Sequence, residues 1–283
     1  VKGTYGLVSR YGAMPLSYSL DHVGPLTRTV KDSALILQAI AGHDPNDATT
    51  SHRDVPEYLD GIEDGVKGMR IGVPENHCYD PVEDAVREPL DASLEVYRAM
   101  GAEIVSLQAD GIELANRFAN VVMATEAAAY HSKWIRECPD DYGAQTLSRL
   151  LPGLYYSGTR YIEGLNLRAT ILEAFCSAVF DKVDVLHAPV IPVEIPRIDE
   201  TDAGAKPGYM NSIASITHNT RAINYLGLPT VSVPCGFTTN GLPTGFQLIG
   251  RPFDEKTLLR AGHAYERETR WCDMAPELQE RKL

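Results

Sequence analysis

The chain has 283 residues, of which 44% are hydrophobic and 23% charged, and this balance excludes wholesale disorder, collagen and a charged coiled coil. Asp and Glu outnumber Lys and Arg by 38 to 26, giving a net charge of −12. An acidic surface repels phosphate backbones, so nucleic acid is not an expected partner. No apolar run approaches the ~20 residues of a membrane span, and no basic-then-apolar leader pattern is found, so a membrane is not an expected partner either.

From Val1 to Gly24 the sequence is rich in Gly, Ser, Tyr and Pro and lacks a helical period, which predicts turns, short strands and loops. Thr29-x-x-Asp32 has the form of a capping box with Thr29 as N-cap. The apolar stripe that follows, Val30 to Ala41, predicts a helix stopped at Gly42. Met69 to Pro74 reads as a short buried strand. Asp80-Pro81-x-Glu83 predicts a helix start with proline at the first position, and Gly101 ends that helix. Pro89 within it predicts a kink. Ala102 to Leu107 is the next strand, so the three elements form a parallel pair with a helical crossover. Residues 111–181 are helical in pattern, with interruptions near Pro139 and Pro152.

Asp184 to Val190 is another buried strand, and Val193 to Pro207 is a Pro-rich loop. A single helix is expected from Asn211 to Tyr225. Strands Thr230 to Phe237 and Thr244 to Ile249 flank Asn240-Gly241, a strong hairpin signal. An amphipathic helix covers Asp254 to Thr269. The class is α/β, a mixed β-sheet covered by helices.

Nucleotide-loop, zincin and G-x-S-x-G motifs are absent. The eight histidines are scattered, and none pairs at i, i+4, so no metal and no other cofactor is expected. The five cysteines are widely spaced without a C-x-x-C, and no N-x-S/T sequon occurs; a reducing cytoplasm is the expected location. His77-Cys78 has the composition of a Cys/His pair, but adjacent side chains in an extended segment point apart. Cys235 sits at a strand end and reads better as a small buried residue than as a nucleophile.

Two stretches carry a family resemblance. The first is Lys2-Gly3-Thr4-Tyr5-Gly6-x-Val8-Ser9-Arg10-Tyr11-Gly12, continuing through Ser19-Leu20-Asp21-His22-Val23-Gly24-Pro25. The second is Asn224-Tyr225-Leu226-Gly227-Leu228-Pro229-x-Val231-Ser232-Val233-Pro234-Cys235-Gly236, followed by Gly241-Leu242-Pro243-x-Gly245-x-Gln247. Together they resemble the amidase signature family of serine amidohydrolases. Glu126, Tyr142-Gly143, Arg168, Asp184, Pro189 and Glu266 resemble the family pattern in the intervening and terminal segments.

That resemblance implies cleavage of a carboxamide C–N bond. A serine attacks the carbonyl, a second serine relays the proton, a lysine acts as base, and backbone N–H groups hold the oxyanion. A serine hydroxyl is a weak nucleophile until its proton is taken, and fixed donors stabilise charge that develops only in the transition state. In the family, the lysine, both serines and the oxyanion loop precede the segment matching Lys2-Gly3-Thr4. No Gly-Gly-Ser-Ile-Arg-like stretch occurs between Val1 and Leu283. The chain also starts without Met. The expectation is therefore an N-terminally truncated chain: residues 1–283 as the C-terminal portion of a single amidase-signature domain, with no catalytic residue of its own and inactive in isolation. Lys2 matches a family lysine that is not the base. Gly3 departs from the usual proline.

The resemblance places substrate contacts at Asn120, Arg149 and Thr217, with Ser19 and Asp21 supporting them from behind. The glutamine-using, tRNA-linked branch holds its substrate's head group with a carboxylate and an arginine. Thr217 stands where that carboxylate is expected, and a neutral hydroxyl holds an ammonium far more weakly than an anion does. A simple or aryl/alkyl amide is the expected small-molecule substrate, and a homo-oligomer or the missing N-terminal half is the expected macromolecular partner. A non-catalytic amidase-like subunit or binding scaffold is the alternative reading.

Overall fold

A computed structural model describes residues 1–202 and 208–275. After the irregular N-terminal segment, helix α1 (Val30–Ile40) begins at Thr29, whose side chain accepts the Asp32 N–H at 3.1 Å. It ends at Ala41, and the Gly42 N–H donates to the Leu7 carbonyl instead of capping the helix. Strand β1 (Arg70–Pro74) and strand β2 (Glu103–Leu107) run parallel, joined by helix α2 (Asp84–Ala99). The helix starts three residues after Pro81, which lies in the preceding turn; Pro89 sits inside it.

The central helical region is α3 (Ile112–Glu137), α4 (Ala144–Leu150) and α5 (Gly158–Phe180), with 3-10 turns at Pro139–Asp141 and Leu151–Leu154. Strand β3 (Val185–Pro189) follows, then a short helix α6 (Ile198–Thr201) inside the segment expected to be loop. The end of that expected loop, residues 203–207, lies outside the described residues.

The single helix expected from Asn211 to Tyr225 is two helices, α7 (Tyr209–Ile216) and α8 (His218–Leu226). They meet at Thr217, which leaves the helical well at φ −102°, ψ 5° while its hydroxyl donates to the Ile213 carbonyl at 2.7 Å. A β-branched residue that bonds back into its own last turn favours such a break. Strands β4 (Thr230–Phe237) and β5 (Pro243–Ile249) form the expected hairpin, with Gly241 at φ +79° in the turn, and helix α9 (Glu255–Thr269) closes the fold.

The sheet order is β2-β1-β3-β5-β4, parallel across β2-β1-β3 and antiparallel across β3-β5-β4. Side chains alternate faces along β4. A Cβ built on Gly262 of α9 lies 3.3 Å from both Val231 and Val233, so those residues face α9. Thr230 and Ser232, on the alternate positions, face a cleft on the other side. The main core joins the sheet to its helices around Tyr97, Phe175, Phe246 and Tyr265, and a smaller cluster of Ala127, Ile135 and Leu150 joins α3 to α4.

Candidate functional site

The cleft has a volume of about 630 Å³ and lies between α3, α4, α7–α8 and the cleft-facing side of β4 and β5. That size suits a small molecule. Asn120, Met123 and Ala124 present one face of α3 to it, at i, i+3 and i+4 spacing. Thr217, Thr220, Arg221 and Asn224 do the same across the start of α8. Arg149 enters from α4. The 3-10 turn after α4 lies so close to α3 that a Cβ on Gly153 would sit 1.9 Å from the Ala124 carbonyl oxygen. Only glycine permits that approach, and it fixes α4, with Arg149, beside Asn120.

The structure therefore brings Asn120, Arg149 and Thr217 to one cleft. Ser19 and Asp21 do not line it. They belong to the 16–22 loop, which contributes Leu16 and Leu20 to the cleft wall. Asp21 accepts the Leu16 and Ser17 N–H groups at 2.8 and 3.0 Å, as a brace within the loop. The Ser19 N–H donates to Glu126 at 3.0 Å, and its carbonyl accepts from the Arg168 guanidinium at 2.7 Å.

Glu126 is the residue on which this loop hangs. Its buried carboxylate also accepts the Ser17 hydroxyl at 2.5 Å and the Tyr161 hydroxyl at 2.9 Å. Arg168 completes the support, with its guanidinium carbon 5.1 Å from the Tyr5 ring centroid and 5.7 Å from that of Tyr225.

Lys2 lines the cleft from the N-terminal segment, which is tied to β4 by a pair of backbone hydrogen bonds with Thr230, at 2.9 and 2.8 Å. Its ammonium donates to the Leu228 carbonyl at 2.5 Å. Burial and the nearby Arg168 charge lower its pKa to about 7, against the raising pull of Glu255. Arg221 was not singled out in the sequence. Its guanidinium donates to the Ala214 carbonyl at 3.3 Å and its Nε is buried without a partner. Burial first, and the like charge of Arg149 second, lower its pKa.

Nucleophiles elsewhere do not converge on the cleft. Cys235 is buried in β4, and burial pushes its thiol up to about 12; Cys78 is likewise pushed up to about 12. Neither thiolate forms near neutral pH. The His77 ring stacks on His218 at 4.1 Å and does not pair with Cys78 as a base. Among the described residues no group of three or more His, Cys, Asp or Glu could hold a metal ion. Among the same residues, no helix is long and apolar enough to cross a membrane.

Comparison with known proteins gives a family-model match, Amidase, over residues 1–259. An amidase from Pseudomonas putida is 39% identical over 276 residues, covering 97% of this chain and 59% of that protein. A glutamyl-tRNA(Gln) amidotransferase subunit from Geobacter metallireducens is 34% identical over 295 residues, covering 96% of this chain and 60% of that protein. The chain thus spans about three fifths of the length of these curated relatives. Among solved structures, the corresponding amidotransferase subunit from Thermotoga maritima superposes with a TM-score of 0.75 at 31% identity, over 94% of this chain and 57% of that one. A chain from a vestigial complex tied to the origins of an s-triazine catabolic enzyme, bound to an inhibitor, gives a TM-score of 0.83 at 27% identity, over 95% and 57%.

Proposed function

This chain belongs to the amidase family, the amidase signature enzymes, and from that premise we propose that the full-length protein hydrolyses a carboxamide C–N bond. In this reading residues 1–283 are one portion of a single amidase-signature domain. They supply the cleft that holds the amide, and the attacking serine, its relay serine and the lysine base lie outside them.

The observation that carries the reading is the cleft itself. The three positions that the family resemblance marks as substrate contacts, Asn120, Arg149 and Thr217, all line it although they come from α3, α4 and the α7–α8 junction. The Asn120 side chain offers both an amide donor and an acceptor. Met123, Ile213 and Ile223 supply apolar wall, and a mostly apolar site with few fixed polar groups is what orients a small molecule. The serine would add to the amide carbonyl and the amine or ammonia would leave with the relayed proton; the chain's own residues hold the acyl group still while this happens.

The remainder of the same protein is the proposed covering for the face around the N-terminal loop. Relatives extend well beyond the matched length, and the sheet ends at β4, whose outer edge is bridged among the described residues only by Lys2 at Thr230.

A fluorophosphonate probe, which forms an adduct with an activated serine, tests the division of labour in the full-length protein. The adduct is expected on a peptide outside residues 1–283. An adduct on a serine within them would overturn the assignment. Absence of both adduct and amide turnover would favour the non-catalytic scaffold instead.

A further inference from the structure

The sheet side of the cleft carries a carboxamide whose orientation is fixed. Gln247 and Ser232 are paired across β5 and β4 and share the cleft-facing side of the sheet. Gln247 Nε2 donates to the Pro189 carbonyl at 3.2 Å and to the Asn219 carbonyl at 3.1 Å. Those two carbonyls belong to the end of β3 and the first turn of α8. Asn219 is itself anchored, because its Nδ2 donates to the Cys78 and Pro189 carbonyls, each at 3.1 Å. The reverse orientation of the Gln247 amide would set its oxygen against two carbonyl oxygens, so the network assigns the nitrogen to them. Both amide hydrogens are thereby spent, and Oε1 is turned the other way. Gln247 is only 3% exposed and lines the cleft, and its Oε1 accepts no hydrogen bond among the described residues.

We infer that Gln247 determines specificity in the proposed amide hydrolysis: its Oε1 accepts an N–H of the substrate's carboxamide, so the cleft selects amides that keep a hydrogen on nitrogen over tertiary amides and esters. The inference rests on the amidase reading for the scissile group and on the fixed orientation of Gln247 for the preference. An acceptor with no proton left to give attracts an N–H and offers nothing to an ester oxygen or an N-alkyl group. Two backbone anchors already hold the side chain, so little ordering is needed when a substrate arrives. A nearly buried acceptor that meets a methyl group in place of an N–H stays unpaired, and that mismatch discriminates more sharply than a change of apolar contact. In the amidase reading the carbonyl oxygen goes to N–H donors outside residues 1–283, which leaves the nitrogen for the sheet side of the cleft. The Ser232 hydroxyl, directly opposite, can both donate and accept and adds no such preference.

Two ligands that exchange an amino group for a methyl group test this in the full-length protein. Butanesulfonamide and butyl methyl sulfone have nearly the same shape, and neither has a carboxamide bond to cleave. In calorimetric titration the sulfonamide is expected to bind about tenfold more tightly than the sulfone. Gln247→Met removes the acceptor and is expected to abolish that difference; Gln247→Glu keeps an acceptor oxygen in its place and is expected to retain most of it. Equal binding of the two ligands by the wild type, no binding of the sulfonamide at millimolar concentration, or a preference unmoved by Gln247→Met would overturn the inference, and the wild-type comparison needs no variant to fold. In turnover, Gln247→Met is expected to lower kcat/KM for pentanamide about tenfold relative to methyl pentanoate, a ratio taken within one preparation and so independent of its folded fraction. An equal loss for both substrates would mean that Gln247 only supports the fold, and would overturn the inference while leaving amide hydrolysis intact. A sulfonamide preference that Gln247→Met abolishes, without turnover of either substrate, would uphold the N–H acceptor and remove the amidase reading.

Discussion

At the scale of single residues, the buried carboxylate of Glu126 decides the shape of the cleft wall. It gathers Ser17, Ser19 and Tyr161 from two distant parts of the chain. Replacing it by leucine orphans three donors, and each buried orphan costs about 1–3 kcal/mol. Glu126→Leu is expected to lower unfolding stability by about 2–4 kcal/mol in a denaturant titration, less than the simple sum because the loop can turn its donors to water. A loss below about 0.5 kcal/mol, the range of an ordinary surface substitution, would mean the loop is held by other contacts. Thr217 is the second decisive residue. In the proposed reading Thr217 stands where the glutamine-using branch is expected to carry its anion, and Thr217→Asp should then move the preference of the full-length protein toward glutamine by about 1–2 kcal/mol. An unchanged ratio of glutamine to pentanamide turnover would place the head group elsewhere.

At the scale of elements, the seam between β3 and α2 is built around a neutral histidine. His187 is fully buried, with Nδ1 2.7 Å from the Tyr79 hydroxyl and Nε2 3.0 Å from Ser93 Oγ. Ser93 donates its own proton to the Leu90 carbonyl at 2.6 Å, so the hydrogen-bond pattern puts the ring proton on Nε2 and makes Nδ1 the acceptor. Burial lowers the His187 pKa to about 3; burial first lowers His22 to about 3 and His77 to about 4. The unfolded chain takes up these protons below pH ~6.5, and the folded chain does not until about 3–4. The unfolded state therefore binds more protons across that window, and stability falls as pH drops from ~6.5 toward 4. His187→Phe is expected to flatten that slope, whatever its effect on stability at pH 7. An equal slope in wild type and variant would mean His187 is protonated within the fold.

Elements also show what could be read in advance. The Asn240-Gly241 turn and the β1-α2-β2 crossover were legible because local chemistry and tertiary structure agree there. The break at Thr217 was not, because the apolar spacing of Ile213, Ile216, Ile223 and Leu226 runs through it and a hydroxyl bonding back by four residues leaves no mark in a pattern. The start of α2 was misplaced because Asp80-Pro81 makes a turn, with Asp80 accepting the His77 N–H at 2.9 Å, before the helix begins. In the cleft, Asn120, Arg149 and Thr217 came only through the family resemblance; nothing in their spacing unites three helices. Arg221 was missed, although Thr217, Thr220, Arg221 and Asn224 share one helical face, because an arginine on a short helix ordinarily reads as solvated surface.

At the scale of the whole molecule, the N-terminal segment is apolar where it meets water. Leu26 is 97% exposed, Tyr11 70% and Met14 67%, and Tyr18 and Leu16 add to the same segment. Such an exposed apolar surface fits the proposed covering by the remainder of the protein. Residues 1–283 alone are expected to bind a hydrophobic dye and to self-associate in sizing experiments, and the full-length protein to do neither. A monodisperse 283-residue monomer without dye binding would show that this face needs no covering.

In the proposed reading, residues 1–283 form the amide-holding cleft of an amidase, and the nucleophile lies outside them. Its most direct test is the rate of ammonia release from pentanamide, measured side by side for the purified 283-residue chain and the full-length protein. Turnover is expected from the full-length protein and none above background from the 283-residue chain, because without nucleophile, base and oxyanion donors only binding is left. Turnover by the chain that survives repurification and is abolished by a substitution within residues 1–283 would contradict it.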